Sequence, residues 1–343
     1  MNNIPELTTL CYIEKDDKYL MLHRVSKKND INKDKWIGVG GHLEKDESPE
    51  ECLLREVKEE TGLILTSYKY RGTITFVSGD GCTEYMALYT ADGFIGEVPG
   101  ECDEGVFEWV PKEDVINLNL WEGDRIFFML LEDRDDFFSL KLVYDGHGVL
   151  EYAALDGKPM ELLDMIDREG NKTGVVRARV VAHRYGGRHA TTLTWVVRKN
   201  DSGKWDVLLQ KRSKNKDSHP GCYDVSSGGH ITSGSKNLDS AVREIGEELG
   251  LLINAEDLQL LGNFPTSSER VFHGKIFKNE QLNYVYLYKG NVNIDELKIQ
   301  ESELEAVEWW SLEEVIRRLG EPDFPTCIHI EELEMLKTGL ESI

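Results

Sequence analysis

Short runs of apolar and β-branched residues at 8–15 (TTLCYIEK) and 18–24 (KYLMLHR) predict two strands, and Asp16-Asp17 between them predicts a tight hairpin. The same arrangement returns at 191–197 (TTLTWVV) and 205–212 (WDVLLQKR), joined by a KNDSGK turn. Each hairpin is followed by a polar loop and then by an aromatic residue with a Gly pair and a His: WIGVGGH at 36–42 and YDVSSGGH at 223–230. A Glu-rich stretch of helical period ending in Gly-Leu comes next, then further strands, a Glu-rich loop and a Trp (DEGVFEWVPKEDV at 103–115, ESELEAVEWWSLEEV at 301–315). With Gly41 matching Gly229 the offset is 229 minus 41, or 188 residues, too long for a solenoid and right for two homologous domains. The join is expected near DGKP at 156–159, which gives domains of residues 1–157 and 158–343.

Composition narrows the chemistry. The 343 residues suit two domains of about 150 residues each. A formal charge of -23 opposes binding to a polyanion, so neither a nucleic acid polymer nor an anionic membrane surface is expected as a partner. The excess of acid suits cation sites instead. MNNIPELTTL has no basic, apolar leader character, which predicts a cytoplasmic protein. The six cysteines have no CxxC spacing and read as reduced packing thiols.

The first helix is punctuated throughout: Ser48 as N-cap, Pro49 at the first helical position, Glu51 to close a capping box, Gly62 as the stop. Glu56, Glu59 and Glu60 share one face of it, a repulsive arrangement unless a hard cation lies between their oxygens. Mg2+ or Mn2+ is the expected ion, since both keep waters and bridge to substrate phosphates.

Residues 41–63, GHLEKDESPEECLLREVKEETGL, match G-x5-E-x7-R-E-U-x-E-E-x-G-U without exception, U being bulky aliphatic. Its seven fixed positions match by chance with a probability on the order of 10^-8 per start site. This is the Nudix box, and residues 5–155 resemble Nudix diphosphohydrolases. The resemblance implies an α/β fold of the mixed α+β kind: two tandem Nudix folds, each a mixed β-sheet sandwiched between helices. It also implies that the Gly40 carbonyl with Glu56, Glu59 and Glu60 holds metal, that Glu104 adds a ligand or acts as base, and that Arg55 is paired with Glu47 to fix the loop. The chemistry would be in-line attack of an activated water on a diphosphate phosphorus.

Within the family the first half resembles the MutT-like 8-oxo-dGTP diphosphatases of nucleotide sanitation, through WIGVGG, LWEGDRIFF at 120–128 and FFSLKLVYDG at 137–146. That implies Trp121 for base stacking and Asp124 for a base-edge hydrogen bond. Ile37 stands where relatives often carry a purine-binding Asn. ADP-ribose or a dinucleoside polyphosphate is the alternative substrate.

The second box, GHITSGSKNLDSAVREIGEELGL at 229–251, keeps Arg243, Glu244, Glu247 and Glu248 but has Ser235 in place of the first glutamate. The metal triad is expected to survive and the loop to be less fixed, weakening activity. Around this box residues 160–335 resemble the isopentenyl-diphosphate-isomerase-like branch, which implies Arg212 and Lys216 as a diphosphate grip and matches His189 and His230 to metal-site histidines. The isomerase's catalytic Cys is Gly228 here, so hydrolysis is expected rather than isomerisation. A ligand-sensing or dimer-forming second domain is the rival reading, and the sequence leaves a homodimer open.

Overall fold

The computed structural model describes residues 4–26, 30–216 and 218–342. The chain divides into two compact units, residues 1–162 with 176–181, and residues 163–175 with 182–343. DGKP at 156–159 forms a tight turn inside the first unit, where Leu155 pairs with Lys158 and both Asp156 and Gly157 have positive φ.

The first hairpin forms as its sequence demands. Strands Glu6–Lys15 and Lys18–His23 pair antiparallel, and Asp16 and Asp17 take φ of 50° and 60°, the left-handed conformation that a two-residue turn matching strand twist requires. Strand Glu6–Lys15 then pairs in parallel with Thr83–Ile95, and Ile64–Val77 pairs in parallel with Phe138–Tyr144, so the sheet is mixed. Period-2 alternation gives each face of the sheet its own core. Cys11, Ile13, Leu20 and Leu22 meet Leu53 and Val57 of helix Pro49–Thr61. On the other face Tyr12 packs against Phe127 and Phe128 of helix Glu122–Asp133, with ring centroids 5.7 and 4.6 Å away. Truncating Leu53 to Ala would cost about 2 to 5 kcal/mol and loosen the helix that carries the glutamates.

The second unit repeats this plan. Strand His189–Lys199 pairs antiparallel with Trp205–Arg212 and parallel with Lys275–Lys289. Val196 and Leu208 face Leu249 of helix Asn237–Leu249. Trp195, Val197, Val207 and Leu209 face Val315 and, on the last helix Ile330–Glu341, Leu333, Leu336 and Leu340. Both units are thus mixed sheets between helices. All six cysteines are free, and among the described residues no helix is long and apolar enough to cross a membrane.

Candidate active site

Helix Pro49–Thr61 starts and stops as its punctuation requires. Ser48 and Glu51 form the reciprocal capping box, Pro49 opens the first turn, and Gly62 closes the helix at φ 70°. This sets Glu56, Glu59 and Glu60 on one helix, with Glu56 against the end of the WIGVGG segment and Glu59 exposed. A Cβ on Gly41 would stand 2.4 Å from the Glu56 carboxyl, so only glycine lets that carboxylate lie on the loop backbone. Val39 and Gly41 bond to Cys11 and Thr9, which leaves the Gly40 carbonyl directed to the opposite edge.

Arg55 ties this arrangement together. Its Nε and one terminal nitrogen donate to the two Glu47 oxygens at 2.8 and 2.9 Å, and it also reaches Glu56 at 2.6 Å, Glu59 at 3.2 Å and the His42 carbonyl at 3.0 Å. Arg55 and the Glu44 backbone N–H hold the Glu47 carboxyl down to about 2. The brace expected from the sequence is formed. Glu104 comes from the loop before Trp109 and is ion-paired to Arg24, which also binds Asp30 at 2.7 Å.

A second cluster lies at the start of helix Glu122–Asp133. Trp121 is half-buried, its indole N–H donates to Asn32 at 2.8 Å, Phe76 and Tyr144 meet it edge-on, and the Lys35 ammonium stands 5.1 Å over its ring. Burial pushes the Asp124 carboxyl up to about 7, against the opposing pull of Lys35. Lys35 is itself lowered, chiefly by burial. The Tyr12 hydroxyl beside Asp124 is fully buried with the Gly38 N–H toward its oxygen, and its own hydrogen has no acceptor among the described residues.

In the second unit the triad is rebuilt on helix Asn237–Leu249. A Cβ on Gly229 would stand 2.2 Å from the Glu244 carboxyl, as on Gly41. Glu247 is exposed, whereas Glu248 is buried, accepts the Gly228 N–H at 3.0 Å, and is pushed up to about 7 by burial and by nearby Glu244. Arg243 keeps the counterparts of three Arg55 bonds, to Glu244 at 2.7 Å, Glu247 at 2.8 Å and the His230 carbonyl at 3.2 Å.

Two sequence expectations for this unit change. The loop that lost its glutamate is not unfastened, because Asp164 accepts from the Ser233 hydroxyl and the Gly234 N–H, each at 3.0 Å. Arg212 and Lys216 are not open cations: Arg212 is bonded to the buried Asp224 at 3.0 Å and to the Ser218 carbonyl, and Lys216 is ion-paired to Glu303. A diphosphate would have to displace those carboxylates.

His189 and His230 come together with a third histidine that the sequence reading missed. His183, on a short helix, completes a trio whose ligand atoms all lie within 4.8 Å of one another. The Nδ1–H of His189 donates to the Gly187 carbonyl at 2.8 Å and that of His183 to the Lys278 carbonyl at 3.2 Å, while the Nε2 atoms of His183 and His230 lie 3.1 Å apart and Gln281 approaches that of His189 at 3.5 Å. A tally of histidines between 183 and 230 would have flagged it.

The NUDIX domain profile matches residues 5–131 and, a second time, 188–327. The chain belongs to the Nudix family. Nudix hydrolases act on small nucleotide substrates and use divalent metal ions, and each match covers one of the two glutamate-bearing helices. Among relatives, Nudix hydrolase 3 of Arabidopsis thaliana is 34% identical over 165 residues, 48% of this chain and 21% of the plant protein, so the match spans about a fifth of that relative's length. The oxidized purine nucleoside triphosphate hydrolase of Danio rerio is 31% identical over 132 residues, 38% of this chain and 83% of the fish protein. A mutator MutT protein of Bacillus halodurans, known from its crystal structure, aligns at 25% identity and TM-score 0.40, covering 45% of this chain and 99% of that one.

Proposed function

We propose that the first unit is a Mg2+- or Mn2+-dependent diphosphatase that converts nucleoside triphosphates, oxidised purine nucleotides such as 8-oxo-dGTP foremost, to the monophosphate and pyrophosphate. The observation that carries this reading is the pairing of a carboxylate face at Glu56, Glu59 and Glu60 with the Trp121 and Asp124 cluster in the same unit. The donor set is all oxygen, three carboxylates and the Gly40 carbonyl with Glu104 in reserve, which fits a hard divalent ion. When bound, such an ion neutralises phosphoryl oxygens and lowers the pKa of the attacking water.

The chain's own residues supply position. Glu47 and Arg55 fix the loop against the helix. The Trp121 ring offers an apolar face to a base, while the Asp124 carboxyl and Tyr12 hydroxyl offer hydrogen bonds to its edge. Lys35 keeps positive charge beside Asp124. The Danio rerio relative is named for oxidised purine nucleoside triphosphates, which favours this substrate class over ADP-ribose or a dinucleoside polyphosphate.

The second domain, proposed from the repeat as residues 158–343, is a hydrolase-like copy for a diphosphate compound, with Glu244, Glu247 and Glu248 as its metal face. His189 and His230, which the resemblance to the isopentenyl-diphosphate-isomerase-like branch implies as metal-site histidines, lie in one cluster with His183. The rival reading, in which this unit senses a ligand without turning it over, also needs a diphosphate to displace the carboxylates paired with Arg212 and Lys216. The full chain, assayed for pyrophosphate and phosphate release from a panel of nucleotides and diphosphates with and without Mg2+, tests both. Turnover of oxidised purine triphosphates that survives Glu60→Gln would overturn the first assignment.

A further inference from the structure

We propose that Asp164 is the positioning residue of the second metal loop, doing from a distant strand what Glu47 does from within the first loop. The inference rests on reading Glu244, Glu247 and Glu248 as a metal face. The two loops have the same backbone. In the first, the Glu47 N–H bonds to the Glu44 carbonyl at 3.2 Å and Asp46 takes φ 66°; in the second, the Ser235 N–H bonds to the Thr232 carbonyl at 3.0 Å and Gly234 takes φ 80°. Both loops also receive the helix arginine on the same carbonyl, His42 or His230.

What differs is the origin of the carboxylate. Glu47 accepts the loop N–H of Glu44 at 2.8 Å and carries the connection on to Arg55. Ser235 is too short for either task, and among the side chains of the described residues its hydroxyl meets only the Thr232 hydroxyl, at 2.9 Å. Asp164 supplies the missing acceptor from strand Leu162–Ile166, taking the Gly234 N–H on one oxygen and the Ser233 hydroxyl on the other. Its footing is firm. Leu163 and Met165 on either side are buried, and Leu163 forms an antiparallel bridge to Thr232 at the loop's start. Lys172 pairs with Asp164 at 2.7 Å. Burial works to raise the Asp164 pKa, yet Lys172, the Gly234 N–H and Ser233 together hold it below the ordinary carboxylate value, so the group is a full anion bonded in place.

The rearrangement removes the carboxylate link between loop and helix arginine and leaves the bond to the His230 carbonyl. Arg55 shares Glu47 with its loop and is 23% exposed; Arg243 has no such link and is 37% exposed. In the second unit Asp164 therefore holds the loop at Ser233 and Gly234 while Arg243 holds Glu244, Glu247 and the His230 carbonyl, and no single carboxylate joins the two as Glu47 does in the first unit.

The test uses the full chain and hydrogen exchange at residues 231–236, with Mg2+ alone as the probe of the metal face. Asp164→Ala should speed exchange of the Gly234 and Ser235 amides by at least about tenfold and raise the Mg2+ concentration that half-protects helix Asn237–Leu249 by about fivefold. Adding Ser235→Glu to that variant, which gives Arg243 the carboxylate its counterpart has, should recover both. Lys172→Ala removes the salt partner but leaves both loop bonds, and should leave loop exchange unchanged. Unchanged exchange in Asp164→Ala, no recovery with Ser235→Glu, or equal loosening by Lys172→Ala would each overturn the proposal. If the loop responds as expected while Mg2+ protects the helix in no variant, the brace stands and the metal reading of the second unit fails.

Discussion

The two signature loops share their left-handed turn, their glycine under a glutamate carboxylate and their arginine on a loop carbonyl, yet only one contains its own brace. The difference separates two kinds of position in the pattern. On the proposed reading, Glu56, Glu59 and Glu60, and their counterparts Glu244, Glu247 and Glu248, must lie on one helix face, because a cation would need its ligands converging from fixed directions. Glu47 needs only to deliver a carboxylate to a loop N–H and a guanidinium, and an oxygen from any nearby element can meet the first requirement. The second copy can therefore lose the glutamate of its loop and keep the loop's shape.

The largest effect should come from the helix face itself. Glu60→Gln is expected to lower kcat for nucleoside triphosphates by at least about a hundredfold with the fold intact, as loss of a transition-state stabiliser does. Glu248→Gln should leave that activity unchanged and remove whatever the second unit contributes. Steady-state kinetics on the full chain with circular dichroism as the fold control checks both. Equal losses in the two variants would erase the distinction between the units.

A tenfold effect is expected at Trp121. Base stacking is worth roughly 1 to 3 kcal/mol, so Trp121→Ala should raise KM for purine nucleotides by about tenfold with little change in kcat. The sequence has no Trp after the Trp309-Trp310 pair, so substrates of the second unit should not respond. An unchanged KM would make Trp121 a packing residue held by Asn32, Phe76 and Tyr144.

How far these assignments could be read from the sequence depends on how local their causes are. The capping box at Ser48 and Glu51, the stop at Gly62 and the turn at Asp16-Asp17 were legible because each is set by a few consecutive residues. The sheet faces were legible from period-2 alternation, and the carboxylate face from spacing on a helix. The pairings Asp164 with Gly234, Arg212 with Asp224, Arg24 with Glu104 and His183 with His230 were not, because each depends on how separate strands or loops come together. Ser235 was read as a missing brace for the same reason: the pattern reports what leaves a loop, never what arrives.

A several-fold effect should follow from Glu47→Ser, which copies the second loop into the first unit without an Asp164 to take over. Both Arg55 bonds to Glu47 and the acceptor for the Glu44 N–H are lost at once, and kcat should fall by about tenfold or somewhat less, since misplacement of a catalytic group by a fraction of an ångström is costly. Arg55→Lys should give a comparable loss, because an ammonium cannot reproduce the bidentate contact. Ser235→Glu in the otherwise native chain should change little, since Asp164 already holds that loop. A large gain from Ser235→Glu alone would show that the second loop is unsupported after all.

The smallest effect is the one that pH should draw out of Asp124. Burial lifts its carboxyl to about 7, so it is neutral and able to donate below that pH and an anion that can only accept above it. Lys35 and Arg125 oppose the lift, and Glu122, Tyr12 and Tyr144 are the other titratable groups facing the cluster. The folded-state value lies above the ordinary carboxylate value of about 4. The folded unit therefore binds more protons than the unfolded chain between about pH 4 and 7, and the contribution to stability is lost as pH rises through that window. For binding, an ionised Asp124 beside a base edge must find a donor there or remain buried and unpaired, so KM for purine nucleotides should rise about threefold between pH 6 and 8. Asp124→Asn keeps the shape and removes the titration, and should flatten both the KM profile and the fall in Tm across pH 4 to 7. A KM profile that keeps its slope in Asp124→Asn would transfer the titration to the metal face, where Glu56, Glu59 and Glu60 respond to pH through the bound ion rather than through the base.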